Sequence, residues 1–146
     1  MRSPADPQFA GRVRASFERQ AVMGLIGARL DAVEPGVVAI TLQHDPKLTQ
    51  QHGFLHAGIV ATALDSACGY AAFTLMPADA AVLTIEFKLN LLAPARGPAF
   101  RFEGRVVKPG RTISVVEGRA LQGDDELFAT MTATIMTVQG RAGIQH

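Results

Sequence analysis

The run from Ile59 to Met76, IVATALDSACGYAAFTLM, constrains the fold more than any other part of this chain. It is rich in Ala, Leu and Met and contains no proline, so it predicts a buried helix that stops at Pro77. Its length approaches that of a membrane span, but it carries Asp65 and Tyr70, has no basic flank and lies mid-chain. We therefore expect a core helix that the rest of the chain covers.

Asp65 is the one carboxylic acid in this apolar run. Its neighbours on the same helix face, three and four residues away, are all small. They are Ala61, Thr62, Cys68 and Gly69, with Ala72 one turn further on. A face without bulky side chains leaves room for a molecule to approach the carboxyl group. Because a buried carboxylate without a partner is costly, Asp65 is either paired, for example across a subunit interface, or used for chemistry.

The segment His56-Ala57-Gly58 begins the predicted helix. The first N–H groups of a helix have no acceptor within it, and the helix dipole favours negative charge at that end. Asp65 follows about two and a half turns later on the same helix. One short segment thus offers an anion-stabilising amide and a carboxylate.

Composition limits the classes of function. A length of 146 residues fits one domain over residues 1–146, in which we expect 1–5 and 139–146 to be flexible. With 48% hydrophobic and 18% charged residues, some apolar surface is expected to be covered by another subunit. A net charge of +1 gives no argument for nucleic acid or an anionic membrane as partner.

Cysteine usage and the first residues bear on metal binding and location. A single cysteine excludes an internal disulfide framework and a multi-cysteine metal site, and the pair His52 and His56 has no evident third ligand. We expect neither metal nor cofactor. The first residues, MRSPADPQFAGRVR, lack the apolar segment of a signal peptide, so the cytoplasm is the expected location.

Hydrophobic periodicity predicts the remaining elements. Asp6-Pro7 is typical of a helix start, and an apolar stripe at four-residue spacing carries that helix to about Gln20, followed by a short turn near Met23. The arginines on this helix, Arg12, Arg14 and Arg19, are expected to face solvent. Six strands are predicted over residues 28–33, 37–42, 83–89, 100–107, 113–121 and 127–135. The simplest arrangement is an α+β domain in which an antiparallel sheet curves around the central helix.

The sequence HGFLHAG at 52–58, followed by the small-residue helix with Asp65 nine positions after His56, resembles the hotdog-fold acyl-CoA thioesterases of the phenylacetate-degradation (PaaI-like) type. The resemblance covers roughly Gln20 to Val138. It implies a sheet wrapped around a central helix and acyl-CoA as substrate. It also implies homodimers or homotetramers built as dimers of dimers, with active sites shared between subunits.

The resemblance also implies roles for individual residues. Asp65 matches the catalytic carboxylate. His56, Ala57 and Gly58 match a His-Gly-Gly motif in which the middle N–H polarises the thioester carbonyl, and Ala57 replaces the first glycine while keeping that donor. Gln50 matches a side chain near the carbonyl or the attacking water.

Three further positions concern water and substrate. Thr84 falls near a hydroxyl that some relatives place across the dimer to hold the nucleophilic water. Arg96, Lys108 and Arg111 lie in turns that could supply basic groups for the phosphates of coenzyme A.

Several alternatives stay open at this stage. Asp65 fits as a general base or as a nucleophile that forms an anhydride, and His56 fits as a positioning residue or a base. Aromatic, medium-chain and long-chain acyl groups are all compatible. The same scaffold carries enoyl-CoA hydratases and acyl-carrier-protein dehydratases, and a non-catalytic acyl-CoA-binding module is an alternative of a different class.

Overall fold

The computed structural model describes residues 2–146, which form three α-helices, one 3₁₀ helix and six β-strands. The helices are α1 (Phe9–Arg19), α2 (Ala21–Ile26) and α3 (Ala57–Phe73), and the 3₁₀ helix spans Pro46–Leu48. The strands are β1 (Arg29–Glu34), β2 (Val37–Gln43), β3 (Ala81–Leu91), β4 (Ala99–Lys108), β5 (Ile113–Gln122) and β6 (Glu126–Val138). No helix in this part of the chain is long and apolar enough to cross a membrane.

The six strands form one antiparallel sheet in the order β1-β2-β4-β5-β6-β3. The hairpins β1–β2, β4–β5 and β5–β6 join neighbours in sequence, whereas β3 crosses to the far edge and pairs with β6. Helix α3 contacts every strand from β2 to β6. The predicted α+β architecture, a sheet of six strands around a long central helix, is confirmed.

Two glycines explain how closely α3 approaches the sheet. Gly104 and Gly118 are paired across β4 and β5, directly beneath the helix. A Cβ on Gly104 would lie 2.4 Å from the Ala67 carbonyl oxygen, and one on Gly118 would lie 3.0 Å from Cys68 Sγ. No side chain fits between helix and sheet at these points. Burial raises the pKa of the Cys68 thiol to about 12, so it is an unreactive core residue.

The helix boundaries differ from the predicted ones by a few residues. Helix α1 begins at Phe9 because the Asp6 carboxylate accepts a hydrogen bond from the Gln8 N–H at 2.9 Å, which caps a turn just before the helix. The predicted turn near Met23 is the short helix α2, which ends at Gly27 with a φ of 75°. Helix α3 ends at Phe73, and the residues up to Met76 form turns.

The prediction that Arg12 faces solvent is wrong. Its guanidinium donates hydrogen bonds to the carbonyls of Phe73, Met76 and Pro77 and lies 4.3 Å from the Phe73 ring centroid. The last carbonyls of a helix lack partners within the helix and favour a cation. Arg12 therefore fastens α1 to the C-terminal end of α3, while Arg14 and Arg19 are exposed as predicted.

Candidate active site

His56 caps the start of α3. Its backbone is extended, with φ −61° and ψ 138°, and its Nδ1 accepts a hydrogen bond from the Gly58 N–H at 2.8 Å. Nδ1 can accept only when it carries no proton, so the neutral ring carries its hydrogen on Nε2. A Cβ on Gly58 would lie 3.0 Å from His56 Nδ1. Glycine at this position therefore lets the imidazole lie over the first turn of the helix.

Ala57 is the first residue of α3. Its N–H has no hydrogen-bond acceptor within residues 2–146, whereas the neighbouring Gly58 N–H is used by His56. Its backbone belongs to the helix, a conformation that any residue with a Cβ adopts, so alanine serves here as well as glycine. The sequence thus leaves one bare amide at the positive end of the helix dipole.

The bare amide lies beside a cavity of about 540 Å³, which we call the helix-start cavity. Its lining includes Gln50, Phe54, His56, Ala57, Leu92 and Phe128. The loop before α3 positions Gln50, whose N–H donates to the Phe54 carbonyl at 2.9 Å and whose Oε1 accepts from the His52 N–H at 2.5 Å. The structure therefore brings Gln50, His56 and Ala57 together at one opening, as the sequence predicted.

Asp65 lines a second cavity of about 230 Å³, which we call the Asp65 cavity. Its lining includes Gln20, Asp65, Gly69, Tyr70, Thr84 and His146. The Thr84 hydroxyl donates to Asp65 Oδ1 at 2.7 Å. Burial raises the pKa of Asp65 above its ordinary value, and the hydrogen bond from Thr84 offsets part of that rise. The Thr84 hydroxyl thus contacts Asp65 within one chain, whereas the resemblance implied a hydroxyl that some relatives place across the dimer.

A bulge in β3 lies next to Thr84. The pairing of β3 with β6 shifts between Thr84 and Glu86, which interrupts the regular alternation that the sequence predicted. The apolar residues of this strand do not form a buried face as expected: Leu83, Ile85 and Phe87 are 40%, 54% and 44% exposed. Strand β3 is also an edge of the sheet, so its outer edge is unpaired in the single chain.

The two cavities share no lining residue. Ala57 and Asp65 lie eight residues apart on α3, which corresponds to about 12 Å along the helix axis. The Ala57 amide and the Asp65 carboxylate of one chain therefore line separate cavities at different heights along α3.

The basic residues predicted to bind coenzyme A lie at two different ends of the molecule. The Arg96 guanidinium lies 5.4 Å from the ring centroid of Phe54, which lines the helix-start cavity. Lys108 ends β4, and Arg111 follows in the turn beside the residues just past the end of α3. One chain thus brings Arg96, but neither Lys108 nor Arg111, to the helix start.

Sequence reasoning missed three side chains of the Asp65 cavity. Gln20 Oε1 accepts a hydrogen bond from the Ser66 hydroxyl at 2.8 Å, and the Tyr70 hydroxyl lies 3.1 Å from Ser16 Oγ. His146 reaches the cavity from the end of the chain. Gln20 and His146 are far from Asp65 in sequence and belong to no periodic pattern, so no local signal could have identified them.

Comparison with known families decides the class of protein. Residues 52–129, more than half of the chain, match the family model described as the Thioesterase superfamily. This range contains the helix start, Asp65 and Thr84. The chain belongs to the thioesterase superfamily.

Individual relatives agree with that membership. A crystal structure of a thioesterase family protein from Silicibacter pomeroyi is 56% identical, with a TM-score of 0.88, and the match covers 90% of this chain and 99% of that one. A protein of Saccharolobus solfataricus that is provisionally named an esterase is 32% identical over 122 residues, which are 84% of this chain and 81% of the relative. The E. coli PaaI protein from the phenylacetic acid degradation operon, at 15% identity, shares the fold with a TM-score of 0.85 over 93% of this chain and 97% of that one.

These matches confirm the resemblance to hotdog-fold thioesterases of the PaaI-like type. The protein is a hydrolase of the thioesterase kind, built on an antiparallel sheet around α3.

Proposed function

We propose that this hydrolase acts on acyl-CoA thioesters and releases a free carboxylic acid and coenzyme A. The observation that carries the proposal is the partly buried Asp65 carboxylate, hydrogen-bonded to Thr84 and lining a cavity in a chain of the thioesterase superfamily. The pKa of Asp65, raised by burial, makes its carboxylate a stronger base than that of an ordinary aspartate. It either removes a proton from the attacking water or attacks the carbonyl carbon itself.

The helix start supplies the second requirement, a donor for the oxygen on which negative charge develops. The Ala57 N–H is free to serve because His56 already occupies the Gly58 N–H. A preorganised amide at the positive end of a helix stabilises such an oxyanion without having to reorient. The Gln50 side chain lines the same opening, and in this proposal it contacts the carbonyl or the water.

Each active site is proposed to combine two subunits. Ala57, Gln50 and His56 of one subunit would face Asp65 and Thr84 of the other, because the two sets lie too far apart in one chain. The free outer edge of β3, with its exposed Leu83, Ile85 and Phe87, supports a second copy of the chain as the covering partner. A two-fold dimer built this way contains two identical sites, and a dimer of dimers would repeat the arrangement.

The position of Arg96 beside the helix-start cavity makes it the leading candidate for a phosphate group of coenzyme A. Lys108 and Arg111 lie beyond the opposite end of α3. In this proposal Lys108 and Arg111 do not contact a substrate bound at the helix start of their own chain. They contact only a substrate that is bound at the helix start of another subunit.

A thiol-release assay tests the proposal on a panel of aromatic, medium-chain and long-chain acyl-CoAs. Wild-type protein is expected to release thiol from at least one, and Asp65→Asn to lose about 10²–10⁴-fold in rate. Asp124→Asn, an exposed acid in the turn after β5, is the matched control and should keep the wild-type rate. The thiol of Cys68 adds no background because it is buried and has a pKa of about 12.

Other outcomes would identify the rival activities. A hydratase would change the absorbance of an enoyl-CoA without releasing thiol, and a binding module would do neither. Undiminished hydrolysis by the Asp65→Asn protein would remove Asp65 from the mechanism.

A further inference from the structure

The segment after β6 folds back onto the body of the domain. Gly140 and Gly143 both have positive φ, 66° and 80°, a region that glycine enters without strain. These two turns bring His146 to β3 and α3. The His146 ring lies 4.9 Å from the Phe73 ring and 6.3 Å from the Tyr70 ring, measured between centroids.

Hydrogen bonds to both ring nitrogens fix the orientation of His146. Nε2 lies 3.1 Å from the Val82 carbonyl oxygen, which can only accept, so Nε2 carries the hydrogen. In the neutral ring Nδ1 then accepts from the Ser16 hydroxyl at 2.9 Å, and Ser16 Oγ in turn accepts from the Tyr70 hydroxyl at 3.1 Å. The ring is therefore held by α1, α3 and β3 together.

The Asp65 cavity leads from the carboxylate towards this ring. Tyr70 and Phe73, which His146 contacts, lie five and eight residues past Asp65, or about 7.5 and 12 Å further along α3. Gly69 leaves the path open, because a Cβ built there would come no nearer than 4.0 Å to Val82 Cγ2. His146 lines both the cavity of about 230 Å³ that contains Asp65 and a neighbouring cavity of about 190 Å³ whose lining does not include Asp65.

We infer that the His146 side chain is the end wall of the acyl pocket and determines the longest acyl group that the protein accepts. The inference rests on the proposed function, since it takes the Asp65 cavity as the site of the acyl group. The volume of about 230 Å³ lies below the range of about 300–1,000 Å³ typical of pockets for drug-sized ligands, so the position of the wall decides how much of an acyl group this cavity holds. Removal of the ring would join the two cavities into a longer channel.

A binding series tests the wall without depending on turnover. In an Asp65→Asn background, straight-chain acyl-CoAs of increasing length are titrated by calorimetry. Each buried methylene should improve the dissociation constant about fourfold until the chain reaches His146, after which the gain stops. With His146→Ala the gain in affinity should continue over several more methylenes than in the parent. With His146→Val it should continue over fewer additional methylenes than with His146→Ala, because the valine side chain is larger than that of alanine but shorter than imidazole.

Two control variants separate the ring from the rest of the segment. His146→Phe keeps a ring of similar size. The gain in affinity should therefore stop at the same chain length as in the parent, which we call the break in the series. Gln145→Ala alters a neighbour that lines only the adjacent cavity, and it should also keep the break. A break at the same chain length in His146→Ala and in the parent, or no break in the parent, overturns the inference.

The outcome is distinguishable from failure of the proposed function. If the break moves to longer chains in His146→Ala but protein with Asp65 intact releases no thiol, the inference about His146 is supported. The thioesterase proposal is then overturned. If thiol is released and the break does not move, the proposal stands and His146 is not the wall. If no acyl-CoA binds, both are overturned.

Discussion

The helix-start cavity and the Asp65 cavity lie along the same helix but differ in chemistry. The first holds about 540 Å³ and presents a bare amide at the positive end of α3, with Arg96 nearby, and its described lining includes no carboxylate. The second holds about 230 Å³ and presents a carboxylate with a raised pKa. Each contains what the other lacks for hydrolysis of a thioester.

Helix geometry explains why one segment does not supply both groups at one point. Only the first turn of a helix has N–H groups without an internal acceptor, so the oxyanion donor must come from the start of α3. Asp65 lies eight residues further, where the backbone is engaged in the helix and only the side chain is available. The proposed site therefore uses two helices at one bond, one from each of two subunits.

Loss of the amide at the helix start should lower turnover more than the other changes to the two cavities described below. Ala57→Pro removes only the N–H, because proline is favoured at the first helical position and the extended backbone of His56 suits a following proline. We expect a fall in kcat of about 10²–10³-fold for thiol release. Ala57→Gly keeps the donor and is the matched control. A Ala57→Pro protein with wild-type kcat would exclude this amide as the oxyanion donor.

Loss of the hydroxyl beside Asp65 should change the pH dependence of the rate. The Thr84 hydrogen bond favours the ionised carboxylate and lowers its pKa, so Thr84→Ala should raise the pKa of Asp65 further. Because Asp65 acts when ionised, the variant should lose activity at a higher pH than the wild type does when the pH is lowered. The pH profile of kcat measures this shift. Thr84→Ser, which keeps the hydroxyl, should follow wild type, and an unmoved acidic limb in Thr84→Ala would contradict the coupling.

Two glycines, one in each region, should respond in opposite directions to the same added methyl group. In Gly58→Ala the Cβ would crowd His56 Nδ1 at 3.0 Å and disturb the cap, at a cost of about 2 kcal/mol that outweighs the gain of about 1 kcal/mol from alanine in a helix. In Gly69→Ala the methyl group meets only Val82 Cγ2, at an ordinary contact distance of 4.0 Å, and alanine favours the helix by about 1 kcal/mol. Denaturant unfolding at a fixed protein concentration compares the two free energies of unfolding. Equal stability of the two variants would show that the His56 cap does not depend on Gly58.

The sequence was sufficient to predict the two longer helices, the six strands and the two groups that the proposed site uses. The run of small residues around Asp65 indicated a buried helix with an accessible face, and period-two alternation located five of the strands within a few residues and the sixth, β6, short at its C-terminal end. These signals are local, because they depend on spacings of two to four residues.

Long-range contacts were not predictable in this way. Arg12 caps the end of α3 from a different helix, and His146 reaches the Asp65 cavity from the segment after β6. Gly104 and Gly118 are required by the close approach of α3, which their own strands do not reveal. The exposed apolar residues of β3 satisfied the strand pattern, but the pattern does not tell whether such a face is covered within the chain or by a partner.

Mixing of two inactive variants tests the shared site most directly. Asp65→Ala and Ala57→Pro proteins are unfolded together at equal concentrations, refolded to allow exchange of subunits, and assayed for thiol release against each protein treated alone. In a mixed dimer one site carries both defects, and the other combines an intact Asp65 with an intact Ala57. Since about half of randomly assembled dimers are mixed, the account predicts recovery of about a quarter of wild-type activity. If wild-type protein regains its activity under the same treatment and the mixture stays inactive, each site lies within one chain and the account is contradicted.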